Sequence, residues 1–239
     1  GLPSPVVDTS KNMMINAAAA GLAGAAQPES QTITRFVQEM GGNGKCTIIG
    51  MGLRTSPVYA ALANGVMIHL LDFDDEIAGR DITPSSVVFP VVMALGEMNG
   101  YGGREVLNAF AQGCEVASKM GAIVRLQEGE PASAWARHRE GVAGTVGATA
   151  AAGRLLGLEQ EQLERAFGIA GGGTEGARAN FAAPGRALQS GRAAMNGVMA
   201  ALLARQDFGG SSQSIEAAGG LLACYEAEES LGQEEFFSR

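Results

Sequence analysis

The chain has 239 residues, 46 % of them hydrophobic and only 5 % aromatic, with a net charge of −8. That length supports one large domain or two small ones, and the abundant Ala and Gly suit closely packed helices rather than a β-sandwich, whose strands need β-branched and aromatic residues. The acidic balance, with no long run of Lys or Arg, argues against nucleic-acid binding, which needs a basic face to displace counterions.

In chain order, Leu2-Pro3-Ser4-Pro5 opens a helix running to about residue 26, with Pro in the first turn, where its missing N–H costs nothing. Gln27-Pro28-Glu29-Ser30 breaks it. A second helix spans about 31–40 and stops at Gly41-Gly42. Residues 45–50, with Thr47-Ile48-Ile49, form a short extended piece. Pro57 starts a helix over about 58–72, followed by an acidic loop to Thr83. Pro84 opens a helix to residue 97, kinked at Pro90. After Gly102-Gly103 comes a helix over about 104–121. Residues 127–140 are the longest irregular stretch. Helices over 142–156 and about 159–170 precede a Gly-rich loop, 171–184, and a helix over 187–205. A last helix covers about 214–227.

Nearly every element has helical length and helical spacing of apolar residues. The expected fold is therefore all-α, one domain over 1–239 with no internal repeat or linker. Residues 233–239 trail off without a stop signal, as in a chain cut from a longer protein. No apolar run approaches the ~20 residues of a membrane span, and no signal peptide is visible. Cys46, Cys114 and Cys224 are far apart, with no CxxC and no metal-ligand spacing; they read as buried free thiols of a cytoplasmic protein.

The most informative stretch is His69-Leu70-Leu71-Asp72-Phe73-Asp74-Asp75-Glu76. His69, Asp72 and Asp75 or Glu76 share one face if the helix continues. Acids at a helix C-terminus oppose the macrodipole at about 0.3–1 kcal/mol each, so the cluster is unfavourable for stability alone. It reads as a solvated acidic loop, as an acid–base site, or as a Mg²⁺ site built from Asp72 to Asp75. Thr83-Pro84-Ser85 supplies an N-cap and a good first residue, and it also sets hydroxyls at a helix N-terminus, where anions bind. His138, in Arg137-His138-Arg139-Glu140, sits between cations that favour its neutral, basic form. Arg186, after a Gly-rich loop at a helix start, can clamp a carboxylate bidentately. Gly171-Gly172-Gly173-Thr174-Glu175-Gly176 matches GxGxxG, but it follows a helix and lacks a βαβ unit, so the dinucleotide reading fails.

Taken together these stretches resemble the MmgE/PrpD family. The resemblance rests on Ala63-Asn64-Gly65 with His69 and Leu71-Asp72-Phe73-Asp74-Asp75, then Pro84-Ser85 with Pro90 and Ala94-Leu95-Gly96-Glu97. Next come Gly144-Thr145-Val146-Gly147-Ala148 through Leu155-Leu156-Gly157-Leu158, Ala166 to Ala170, and Gly191-Arg192-Ala193-Ala194 to Leu202-Leu203-Ala204. The resemblance implies a helical domain of a homodimeric, cofactor-independent enzyme whose α+β lid domain lies outside this chain. It implies lyase or isomerase chemistry on a small di- or tricarboxylate, as in 2-methylcitrate dehydratases, cis-aconitate decarboxylases and iminodisuccinate epimerases.

It also marks Asp72 and His138 as active-site residues. Thr83 stands where the family usually has His, Arg186 where it has Lys, and Glu76 where a small hydroxyl residue is common. The expected catalytic set is Asp72, His138, Thr83 and Glu76, and the expected substrate-binding set is Arg186, Arg137, Arg139 and Ser85. A catalytically altered family member, acting as a dimeric scaffold or metabolite binder, and a Mg²⁺-dependent enzyme are the alternatives.

Overall fold

The computed structural model describes residues 1–223 except 43, 79–81, 125–138, 175–179 and 181, and only the backbone of 139 and 140. Among the described residues are eight helices and one two-stranded sheet. In order these are α1 (Ser4–Ala25), α2 (Pro28–Met40), β1 (Cys46–Ile48), β2 (Leu53–Thr55), α3 (Pro57–His69), α4 (Pro84–Asn99), α5 (Gly103–Val124), α6 (Arg139–Leu156), α7 (Gln160–Gly171) and α8 (Gly185–Ala204). The fold class is the all-α one expected.

Four boundaries differ from expectation for local reasons. Pro28 does not separate α2 from its start but occupies its first turn, the position that tolerates a missing N–H. The extended piece at 45–50 is half of a hairpin: Ile48 pairs with Leu53 across a turn in which Gly50 and Gly52 take φ of 71° and 65°, a region other residues rarely adopt. α6 begins at Arg139, inside the stretch expected to be irregular. Within the described part of the last expected helix, residues 214–223 form successive turns, because Gly219-Gly220 interrupts the apolar pattern and Gly220 N–H turns back to Ala217 O at 2.6 Å.

α4 is apolar on almost every face, which is the signature of a helix buried all round rather than laid on a surface. Val87, Val88, Val91, Val92 and Leu95 from it form the middle of the main core. Phe89 meets Phe110 of α5 edge to face, with ring centroids 6.4 Å apart and planes at 89°, an arrangement contributing about 0.5–1.5 kcal/mol beyond burial. α4 runs on through Pro90, which removes the hydrogen bond that the Ser86 carbonyl would otherwise accept.

The crossing of α3 and α8 decides where the ends of these two helices lie. A Cβ on Gly65 would lie 2.8 Å from Gly191 Cα, and one on Gly191 would lie 2.5 Å from Leu62 O. The two backbones therefore touch, which only glycine at both positions permits. The helices run in opposite directions there, so the C-terminus of α3 and the loop after it come to lie against the N-terminus of α8. Asn64, beside this crossing, fixes the hairpin: its Oδ1 accepts from Ile49 N–H and its Nδ2 donates to Thr47 O, both at 2.8 Å.

Candidate functional site

α3 stops at His69, so the acids beyond it do not continue a helical face as the spacing suggested. The chain turns sharply instead: Asp72 N–H donates to His69 O at 3.2 Å, and Asp72 adopts φ of 59°. A non-glycine residue in this left-handed region is uncommon, though Asp tolerates it better than most. The turn aims the Asp72 carboxylate at α8, where Arg186 Nη1 donates to Asp72 Oδ2 at 2.7 Å. The two residues are 114 positions apart in sequence. Asp72 is 57 % exposed, and an exposed ion pair contributes about 0–1 kcal/mol, whereas strained backbone of this kind costs on the order of 1–3 kcal/mol. The ion pair alone does not account for the turn.

Asp72 and Arg186 open on a hollow of about 360 Å³, which is also lined by His69, Glu29 and the backbone stretch around Ala183. His69 is buried, and its Nδ1 lies 2.8 Å from Asp74 Oδ2 with both side chains closed to solvent. Donor atoms of His69, Asp72 and Asp74 lie within 4.8 Å of one another, a spacing a metal ion could use. The guanidinium already on Asp72 opposes a second cation there, and the hydrogen bond to Asp74 engages the imidazole, so the donor set fits an ion poorly.

Asp75 turns the other way, into the protein. Its carboxylate oxygens are closed to solvent, beside the equally enclosed hydroxyl of the fully buried Ser85. Burial pushes the Asp75 carboxyl above the usual carboxylate range; the nearby Ser85 hydroxyl opposes the shift and the Asp74 charge adds to it. Thr83 occupies the N-cap position of α4 without capping it: its hydroxyl lies 3.1 Å from Ser86 Oγ, and Ser86 Oγ donates to Thr83 O at 2.8 Å. Glu76 is exposed on the loop.

Of the expected site residues, then, Asp72 and Arg186 come together. Thr83 and Ser85 are buried at the start of α4, and Glu76 points to solvent. His138 and Arg137 lie outside the described residues, as does the side chain of Arg139. His69 and Glu29 line the hollow although neither is in the expected set. The cue for His69 was its spacing from the acids; for Glu29, in the first turn of α2, the sequence holds no cue.

The helix crossing thus brings an acid and a guanidinium together beside a hollow of small-metabolite size, in an all-helical fold apart from one hairpin among the described residues. The chain belongs to the MmgE/PrpD family: the MmgE/PrpD N-terminal domain matches residues 1–234. It is 32 % identical to human cis-aconitate decarboxylase over 230 residues, 94 % of this chain and 47 % of that protein. It is 28 % identical over 235 residues to the cis-aconitate decarboxylase-like protein oryM of Aspergillus oryzae, covering 94 % and 48 %. To the cis-aconitate decarboxylase of Aspergillus terreus it is 29 % identical over 213 residues, covering 85 % and 42 %. The chain thus spans about half the length of the curated relatives it matches.

Proposed function

We propose that this domain carries part of the active site of a lyase acting on a small tricarboxylate, with decarboxylation of a cis-aconitate-like acid as the leading reaction. The observation that supports it is the Asp72–Arg186 pair on the rim of a hollow, in a chain whose relatives are named for that reaction. Loss of CO₂ breaks a C–C bond and leaves its electron pair on the carbon chain. An acid must then deliver a proton to carbon. Dehydration of a methylcitrate-like acid starts instead with a base taking a proton α to a carboxylate. Both need a proton-transfer group held beside a carboxylate clamp, which typically supplies 10²–10⁴-fold in rate.

Asp72 and His138 are the proton-transfer groups of this reading. Arg186 binds a substrate carboxylate, with Arg137 and Arg139 as further candidates. A guanidinium has five N–H donors in a planar fork, so one donor on Asp72 does not exhaust it. Arg186 cannot release a proton near neutral pH, so its role is binding and orientation. Thr83, Ser85 and Glu76 stay in the proposal as residues shaping the loop. The enzyme works as a homodimer without an added cofactor.

The test uses the full-length protein with cis-aconitate and 2-methylcitrate in separate reactions, following CO₂ release and the ultraviolet signal of conjugated acids. CO₂ from cis-aconitate supports the leading reaction, and water loss from 2-methylcitrate supports the dehydratase variant. Binding of either acid by calorimetry without turnover would favour a metabolite binder. Turnover abolished by a strong chelator would favour the Mg²⁺ reading.

A further inference from the structure

Aspartate tolerates the left-handed region better than most residues, as Asp207 does at φ of 60°, but that tolerance does not fix which way the Asp72 carboxylate faces, and the contacts around the turn do. Besides the contact with Arg186, three others bracket this residue. The His69–Asp74 bond, 2.8 Å long and closed to solvent, spans the turn from outside Asp72 on both sides. Asn16, on α1, donates from Nδ2 to the Phe73 carbonyl at 3.2 Å. The backbone bond from Asp72 N–H to His69 O closes the turn itself. Phe73, between the two acids, is left 68 % exposed. Phe73 therefore contributes little packing to hold the loop. Polar tethers decide it, and every tether brackets the one carboxylate that faces Arg186.

We infer that His69, Asp74 and Asn16 form a positioning clamp that holds Asp72 in its left-handed turn, facing Arg186 and the hollow. The inference rests on the proposed lyase reading for its catalytic consequence, but the clamp itself is a statement about geometry. His69 acts through Asp72, and its buried ring is not assigned a proton-transfer step. Asn16 is the most telling member: it sits on a different helix, 57 positions from the residue it holds, and its bond is near the surface. Its removal leaves the core untouched.

The experiment compares Asn16→Ala, His69→Phe and His69→Asn with wild type in the full-length protein. Asn at 69 retains an N–H donor where Nδ1 lies, and Phe does not. Displacing a catalytic group by about 1 Å costs on the order of 100-fold in rate. Asn16→Ala and His69→Phe should therefore lower kcat by about 10- to 100-fold with KM nearly unchanged, and His69→Asn should recover most of the loss. Because His69→Phe can fail to fold, Asn16→Ala is the deciding variant, and its crystal structure is the readout that does not depend on turnover. The expected structure has Asp72 out of the left-handed region and its contact with Arg186 broken. An Asn16→Ala structure with the turn and the ion pair intact overturns the clamp. So does a variant with wild-type kcat in an active enzyme. Absence of turnover in wild type counts against the lyase reading alone, and the crystal structure of Asn16→Ala still decides whether the clamp exists.

Discussion

Asp72 and Asp75 are three residues apart and end up in opposite environments. Asp72 meets a guanidinium at the surface of a hollow, and the Asp75 carboxylate is closed to solvent beside Ser85. Burial holds the carboxyl towards its neutral form, and the nearby Ser85 hydroxyl offsets this only in part, so its pKa rises on folding. The folded state then binds the proton more tightly than the unfolded state. The stability this contributes is present below the ordinary aspartate pKa and is lost as pH climbs through the raised value. Asp75→Asn, which keeps the shape and removes the titration, should raise the melting temperature at neutral pH, with the gain vanishing in acid. Equal melting curves for the two proteins across that range would show that Asp75 is not the buried, titrating group described. Spacing alone could not separate the two aspartates, because it assumed a helix that in fact ends at His69. The same error hid the bond between His69 and Asp74, which exists only because the chain turns.

At the scale of the element, the site depends on two glycines. Gly65 on α3 and Gly191 on α8 let the helix backbones touch, and everything beyond the crossing follows: the loop after His69 reaches Arg186 only if the helices stay that close. The would-be Cβ of Gly65→Ala meets a backbone Cα at 2.8 Å, which cannot move aside as a flexible side chain can. The substitution should destabilise the protein by about 1–3 kcal/mol, the usual range for overpacking. It should also lower turnover beyond what the loss of folded protein explains. Urea denaturation paired with active-site kinetics checks both, and a stable, fully active Gly65→Ala would show that the crossing does not set the site. The sequence marked Ala63-Asn64-Gly65 as distinctive without revealing why. The structure assigns Asn64 to the hairpin and Gly65 to the crossing. Neither job is readable from local pattern, since both partners, Thr47 to Ile49 and Gly191, are distant in the chain.

For the molecule as a whole, helical periodicity was legible because most helices have starts and stops with clear chemistry: Pro at the first turn in α1 to α4, and a Glu159–Gln162 capping box at α7. The region around 214–223 misled because its Ala-rich composition suits a helix while Gly219-Gly220 breaks one. The site was legible only as a set of residue types. Asp72 and Arg186 were named, but their meeting is a product of tertiary packing. No described helix is long and apolar enough to cross a membrane. This chain carries a net charge of −8, so the proposed capture of an anionic acid has to be local, and on that proposal Arg186 is the described cation that faces the hollow.

That claim, an acid and a guanidinium working as one unit on a carboxylate substrate, is tested most directly by a double-mutant cycle in the full-length protein. Asp72→Asn, Arg186→Met and the double variant are compared by kcat/KM on the acid that wild type turns over. Each single change should cost on the order of 100-fold or more, and the double variant should be no worse than the poorer single, as for residues that act together. Losses that simply multiply would mean that Asp72 and Arg186 serve the reaction independently and that their contact has no part in it.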